Sequence, residues 1–272
     1  MEEKTIIQVQ KPTILKLGGS VITIKEKPLT ANLKAIERLS HEISEAKVSR
    51  LILIHGGGSF GHPLARQYAL KEGYKEKSQL VGFSKTRQAM GTLNKLVVDA
   101  LIRQNIAAVG LQPSAFVVTN SGRISCIEEQ PIRKLLEIGL IPVLYGDAVL
   151  DFVLGFTILS GDQLAAFLAM KLGASQIILG IDVDGLYTSD PKSDTSARLV
   201  RHISLRELRN MQHEIEEAKV TDVTRGMLGK ILELMPAVEK SIPALIVNAA
   251  RPNNIYKALK GEKVTGTTIV KG

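Results

Sequence analysis

The chain has 272 residues, 44% of them hydrophobic, and a formal net charge of +8. This length buries a substantial core in one large α/β domain or two lobes, and the absence of low-complexity tracts and internal repeats excludes a disordered or fibrous protein. The basic residues are scattered rather than striped with aromatics, so nucleic acid is not an expected partner, and the charge reads as a solvated surface or as a site for an anionic small molecule.

Cys126 is the single cysteine. No intrachain disulfide is possible, and a reducing compartment, the cytoplasm, is expected. The Met-Glu-Glu-Lys start lacks the basic and apolar regions of a signal peptide, and the charge-free stretch from Gln104 to Gly122 is interrupted by Pro113. Neither a signal peptide nor a membrane span is expected.

In chain order, the first predicted strand is Thr13–Leu17, and Lys16-Leu17-Gly18-Gly19-Ser20 closes it. Glycine amides and an ammonium group at a strand end suit a polyphosphate, or else form a plain turn. The spacing is not that of a Walker A loop, and no G-x-G-x-x-G opens a helix. A helix over Asn32–Ala46 follows, with Leu33, Ile36, Leu39 and Ile43 in one apolar stripe. Strand Leu51–Ile54 then runs into H-G-G-G-S-F-G-H, residues 55–62. Successive glycines at a strand-to-helix turn make an anion cradle, and His62 adds a side-chain donor; the alternative is a tight turn with a capping histidine.

Further on, the pattern predicts a long helix over Gln79–Gln104, strands Ala107–Leu111 and Phe116–Thr119, a helix over Ile132–Ile138 capped near Gly139, and a buried strand Ile141–Tyr145 ending in Gly146-Asp147. After Ser160 come helix Asp162–Leu172, strand Gln176–Ile181, an Asp/Ser/Pro-rich loop Asp182–Asp194, helix Gly226–Lys240, and strands Ala244–Val247 and Thr267–Val270. This rhythm predicts an α/β fold, a three-layer αβα sandwich around a largely parallel sheet. A boundary near residue 158 divides it into lobes 1–158 and 159–272 that share one continuous sheet.

The second half supplies carboxylates in Gly161-Asp162 and Asp182-Val183-Asp184-Gly185. Such groups beside phosphate loops fix Mg²⁺ through water or orient lysines, or else belong to ordinary turns. Thr221-Asp222-Val223-Thr224-Arg225-Gly226-Met227-Leu228-Gly229-Lys230 leads into an amphipathic helix. A lysine in its first turns opposes the helix dipole, which points to a nearby anion or to an ordinary exposed lysine.

All four motifs fall after strands or at helix starts, where a parallel sheet opens its ligand crevice. K-x-G-G-S, H-G-G-G-S-F-G-H, Gly161-Asp162, D-V-D-G with Tyr187, and D-V-T-x-G-M-x-x-K together resemble the amino acid kinase superfamily over nearly the whole chain. Within it, the closing His62 resembles archaeal-type isopentenyl phosphate kinases, although fosfomycin kinases carry a histidine there too. The resemblance implies transfer of the γ-phosphoryl group of ATP, with Mg²⁺, to isopentenyl phosphate, a small-molecule acceptor, by a homodimer with no resident protein-held metal.

It further implies that Lys16 bridges the β- and γ-phosphates, Lys25 stabilises the transition state, Lys230 holds ATP phosphates and Asp162 orients the lysines. Gly57, Gly61, His62 and Gly146 would contact the acceptor. Gly18, Gly19, Ser20 and Gly58 would contact ATP phosphates, and Asp182, Tyr187 and Gly226 would line the nucleotide site. Ile24 stands where relatives often have Asp, so Lys27 competes with Lys25 for its role, and Arg225 replaces a common glycine. Phe83, Met90, Phe152 and Ile158 are candidates for a prenyl slot, or plain core.

Overall fold

The computed structural model describes residues 10–189, 194–217 and 223–272, the side chains of 212–226 excepted. Its elements begin with β1 (Thr13–Leu17), α1 (Gly19–Ile22), α2 (Leu33–Ala46), β2 (Leu51–His55), α3 (Gly58–Gln67) and α4 (Ser78–Arg103). Then come β3 (Ala108–Gly110), β4 (Val117–Asn120), β5 (Arg123–Ile127), α5 (Gln130–Glu137), β6 (Ile141–Tyr145), β7 (Asp147–Asp151) and β8 (Gly155–Leu159). The second half holds α6 (Gly161–Leu172), β9 (Gln176–Ile181), β10 (His202–Ser204), α7 (Leu205–Glu217), α8 (Val223–Glu239), β11 (Ala244–Asn248), α9 (Asn254–Lys260) and β12 (Gly266–Val270).

One eight-stranded sheet runs β10-β12-β11-β9-β1-β2-β6-β3 and draws strands from both halves of the chain. It is parallel except where β11 meets β12. β1 is paired with β2 on one side and β9 on the other, so the strand order turns at Lys16 and Leu17. The central strands read as largely apolar runs, interrupted in β1 by Lys16, because both faces are covered. Ile14, Ile52, Ile54, Ile177 and Leu179 pack under α6 and α8 in one core, and Leu15, Leu17, Leu53 and Ile178 enter a second core with α2, α4 and α9. The layers are helix, sheet, helix.

A second, four-stranded sheet of order β5-β4-β7-β8 was not expected. β7 and β8 form a hairpin across residues 152–154 that carries no strong turn dipeptide, so its two short strands leave little signal. β4, expected as one more strand of the large sheet, belongs here instead.

In the H-G-G-G-S-F-G-H segment His55 still belongs to β2 and only Gly56 and Gly57 make the turn; from Gly58 it is helix α3, with Gly57 at its N-cap. Pro63 inside this helix has no N–H to offer the Ser59 carbonyl, and that carbonyl takes the Leu29 N–H at 3.1 Å instead. The turn bearing Lys25 and Lys27 is thereby tied to the start of α3.

The two glycine loops touch. Gly58 has φ +47°, and a Cβ there would lie 2.1 Å from Thr23 Oγ1 and 2.6 Å from the Gly19 carbonyl oxygen. At Gly19 a Cβ would meet Gly58 N at 2.2 Å. Thr23 binds both loops: its hydroxyl donates to the Gly19 carbonyl at 2.7 Å and accepts from Ser59 N–H at 3.0 Å. Gly58→Ala is therefore expected to cost about 2 kcal/mol and to lower the melting temperature by about 5 °C, measured calorimetrically. An unshifted transition would mean that the loops are not locked.

Candidate active site

At the carboxyl ends of β1, β2 and β6 a cavity of about 180 Å³ opens between α3, α4, α6 and α8. Its charged lining includes Lys16, Asp162 and Lys230, with His62 beside them. Lys16 comes from the strand face that lies under α6 and is 3% exposed, a burial that an ammonium tolerates only when paired. Its partner is Asp162 in the first turn of α6, with Nζ 2.6 Å from Oδ1. Ser160 caps that helix by accepting from Gln163 N–H at 3.0 Å, which fixes where Asp162 points. Lys230, one face of α8 away, lies 3.5 Å from Asp162 Oδ2.

One carboxylate thus stands between two ammonium groups. Burial raises the Asp162 carboxyl, but the two lysines outweigh it and hold the pKa below the usual range. Burial pushes Lys16 down from the ordinary lysine value, Asp162 opposes that, and Lys230 adds to it. His62 is pushed down as well, by burial first and then by Lys230, Lys16 and Arg66. Asp147 also lines the cavity, with its carboxyl pushed up by burial, so Asp162 is the acid set between the two ammonium groups that an incoming polyanion would meet.

The cavity also has an apolar lining, formed by Ala65, Met90, Ile158 and Leu159, with Thr86 beside them. Met90 holds the glycines of the loop close: a Cβ at Gly61 would meet its Sδ at 2.9 Å and one at Gly57 at 3.1 Å. Gly146 closes the floor, where a Cβ would lie 3.1 Å from Gly161 N.

Of the sequence candidates, Lys16, Gly19, Gly57, Gly61, His62, Gly146, Asp162 and Lys230 line this cavity together. Gly18 and Gly58 back it through the contacts of the loop pair, with Gly18 N–H spent on the Gly180 carbonyl at 2.7 Å. Ser20, Lys25 and Lys27 are exposed and do not line it. Asp182 is exposed beyond β9, and Tyr187 bridges to Leu199; neither reaches the cavity. Gly226 falls in α8, but its surroundings and the Arg225 side chain lie outside the described residues, as do Thr221 and Asp222. Asp184 is engaged by Asn248 at 2.9 Å and by Arg251 at 2.6 Å.

Two slot candidates need correction. Phe152 is 65% exposed at the β7–β8 turn, and Phe83 packs its ring on Phe156 at 5.4 Å, outside the cavity. Met90 and Ile158 do line it. Ala65 and Thr86 were missed because the packing of α3 on α4 brings them together, and no local pattern marks that.

Under the loop sits His55, fully buried at the end of β2. Burial pushes its pKa down to about 4, against the raising hydrogen bond to Gly56 and with a further push from Lys16. The unfolded chain binds this proton near 6.5 and the folded one near 4. Stability is therefore full above the unfolded value and falls as the pH drops between the two, by about 1.4 kcal/mol per unit, with His62 acting in the same direction. Urea unfolding at pH 7 and pH 4.5 is expected to differ by about 2 kcal/mol through His55, and His55→Asn to lose that part of the slope. An unchanged slope would contradict the assignment.

Residues 11–248 match the profile of the Amino acid kinase family. The chain belongs to the amino acid kinase family. It is 45% identical to the isopentenyl phosphate kinase of Methanothermobacter thermautotrophicus over 94% of this chain and 98% of that one. The corresponding enzyme of Methanocaldococcus jannaschii is 35% identical over the same shares, 94% and 98%. Among solved structures of the amino acid kinase fold, one reported as isopentenyl phosphate kinase superposes with a TM-score of 0.84 at 42% identity, covering 95% of this chain and 99% of that chain. A uridylate (UMP) kinase of Ureaplasma parvum, at 19% identity and a TM-score of 0.63, shares the fold alone.

Proposed function

We propose that this kinase transfers the γ-phosphoryl group of ATP to isopentenyl phosphate, giving isopentenyl diphosphate and ADP. The observation that carries the reading is that one cavity is lined both by polar groups, the ammonium groups of Lys16 and Lys230 with the His62 imidazole, and by apolar ones, Met90 and Ile158. A phosphate monoester with a short branched hydrocarbon tail calls for both. The relatives named isopentenyl phosphate kinase match over nearly their full length, which supports the same acceptor.

An acceptor phosphate is already ionised near neutral pH, so no general base has to make the nucleophile. The obstacle is repulsion between two polyanions and the charge spread over the transferring group. Lys16, at the strand end between the two glycine loops, bridges the β- and γ-phosphates in this reading. Lys230 holds ATP phosphates from α8, and Asp162 keeps both ammonium groups apart and aimed until the nucleotide replaces part of its charge. His62 donates to the acceptor phosphate, with the backbone of Gly57, Gly61 and Gly146 around it. Gly18, Gly19, Ser20 and Gly58 face the nucleotide phosphates, and Asp182, Tyr187 and Gly226 lie along its remainder.

Lys25 serves as the cation of the transition state from its exposed turn, with Lys27 the alternative on that turn. The N-terminal residues to about 158 then bind the acceptor and the later ones ATP. Magnesium enters with the nucleotide as MgATP in this reading. A homodimer and a cytoplasmic setting belong to the same reading, the second in keeping with the exposed free thiol of Cys126. Among the described residues no helix is long and apolar enough to cross a membrane.

The test is an acceptor panel with MgATP: isopentenyl phosphate, fosfomycin, UMP and glutamate. The highest kcat/KM is expected for isopentenyl phosphate, by a factor of roughly 100 or more, because fosfomycin and UMP lack the branched hydrocarbon tail and glutamate lacks both that tail and the phosphate head. A preference for fosfomycin would transfer the reading to a phosphonate acceptor.

A further inference from the structure

The His55 ring ends β2 directly below the glycine loop and touches no part of the cavity itself. It stacks on Tyr145 with centroids 5.4 Å apart and planes at 24°. Its Nε2 lies 3.2 Å from Asn94 Nδ2, and its Nδ1 lies 3.2 Å from the Gly56 carbonyl oxygen. The Asn94 amide nitrogen also lies 3.3 Å from the Val143 carbonyl oxygen, which only accepts, so this nitrogen is a donor to both. Nε2 of His55 is therefore an acceptor. The ring proton sits on Nδ1, from which it is donated to the Gly56 carbonyl.

That hydrogen bond decides which end of a peptide dipole faces the cavity. Across a trans peptide the carbonyl of Gly56 and the N–H of Gly57 point in opposite directions, and the described chain has no cis peptide. With the carbonyl drawn toward His55, the Gly57 N–H turns the other way. Gly57 lines the cavity, and among the described residues its N–H has no backbone partner. Glycine at both positions leaves this peptide plane free to flip, since neither has a Cβ to resist, so a side chain has to set it. A flipped plane would present a carbonyl oxygen to an anion.

The main chain of His55 supports the same floor, as its carbonyl accepts the Gly146 N–H at 3.0 Å. We propose that His55 is a positioning residue for the acceptor phosphate: its Nδ1–H holds the Gly56 carbonyl out of the cavity so that the Gly57 N–H faces the phosphate. This rests on the reading of the cavity as a phosphate-acceptor site.

The experiment compares the full-length protein with His55→Leu, which keeps the contact with Tyr145 but has no donor, and His55→Asn, whose amide nitrogen can stand in the place of Nδ1. In His55→Leu the KM for isopentenyl phosphate should rise about tenfold while the KM for ATP stays within about twofold. His55→Asn should return the acceptor KM to within about threefold of the starting protein. An equal rise in both KM values, an unchanged acceptor KM, or His55→Asn no better than His55→Leu would overturn the proposal.

Two NMR measurements separate this from the functional reading and from misfolding. Titration with inorganic phosphate should shift the Gly57 amide resonance in the starting protein and leave it nearly still in His55→Leu. If the starting protein shows that shift but does not turn over isopentenyl phosphate, the functional reading falls and the role of His55 stands. The nitrogen shifts of the His55 ring in the starting protein should show the proton on Nδ1, and a proton on Nε2 would refute the proposal even if neither variant folded.

Discussion

His62→Ala is expected to raise the KM for isopentenyl phosphate about a hundredfold while the KM for ATP changes by less than about threefold. A hydrogen bond to a charged phosphate is worth roughly 1.5–3 kcal/mol, or about one to two orders of magnitude in affinity. Partial desolvation and the nearby cations Lys230, Lys16 and Arg66 push the His62 pKa below the ordinary histidine value, although the residue stays exposed. An arriving dianion reverses that balance, because an opposite charge within a few ångströms favours the protonated ring. The acceptor KM should therefore rise as pH climbs from the lowered pKa of the free-state histidine toward the higher bound-state one and level off above it, and this dependence should vanish in His62→Ala. Steady-state kinetics across pH 6 to 9 checks both parts. An equal loss of ATP and acceptor affinity would contradict the separation of roles.

Lys16→Met should lower kcat by about a thousandfold, the scale of losing a preorganised charge aimed at the transferring group. Its effect on stability should be far smaller. A buried lysine bears a desolvation cost, seen in the downward push on its pKa, and its removal relieves that cost while leaving Asp162 short of one partner. Lys230 remains 3.5 Å from the same carboxylate, so Asp162 keeps a counterion. A fall of a few degrees in melting temperature is expected. Adding Asp162→Asn should recover most of it without restoring turnover. A Lys16→Met variant that keeps more than about a tenth of kcat would remove this lysine from the phosphoryl path.

The large sheet is legible in the sequence because its central strands are five- or six-residue apolar runs and the helices between them carry stripes with a 3.6-residue period. β1, β2, β6, β9 and β11 fall where these runs lie, and α4 agrees within one residue at each end. What escaped has a physical reason in each case. The three glycines and Pro63 around α3 argue against a helix locally, yet Gly58 at φ +47° starts it and Leu29 takes the carbonyl that proline leaves. The helix α7 is dense in charge and lies beside β10, a strand of three residues.

The site divides in the same way. Lys16, His62, Asp162 and Lys230 stand out because each breaks the local pattern: a lysine inside an apolar strand, a histidine ending a glycine run, an acid at a helix start, a lysine near another. Thr86, Ala65 and Leu159 are ordinary residues in ordinary positions, and only the packing of α3, α4 and β8 around the glycine loop makes them a wall. The place of His55 was equally hidden. In the sequence it reads as the first residue of the glycine loop, and its role depends on Asn94, 39 residues away.

The most direct measurement of the proposed reaction is a ³¹P NMR spectrum of the protein with MgATP and isopentenyl phosphate. The monophosphate signal should disappear as a pair of coupled diphosphate resonances grows, in step with ADP and with no accumulation of inorganic phosphate. A monophosphate signal that persists while ATP is stable, or while ATP passes to ADP and inorganic phosphate, would contradict isopentenyl phosphate as the acceptor.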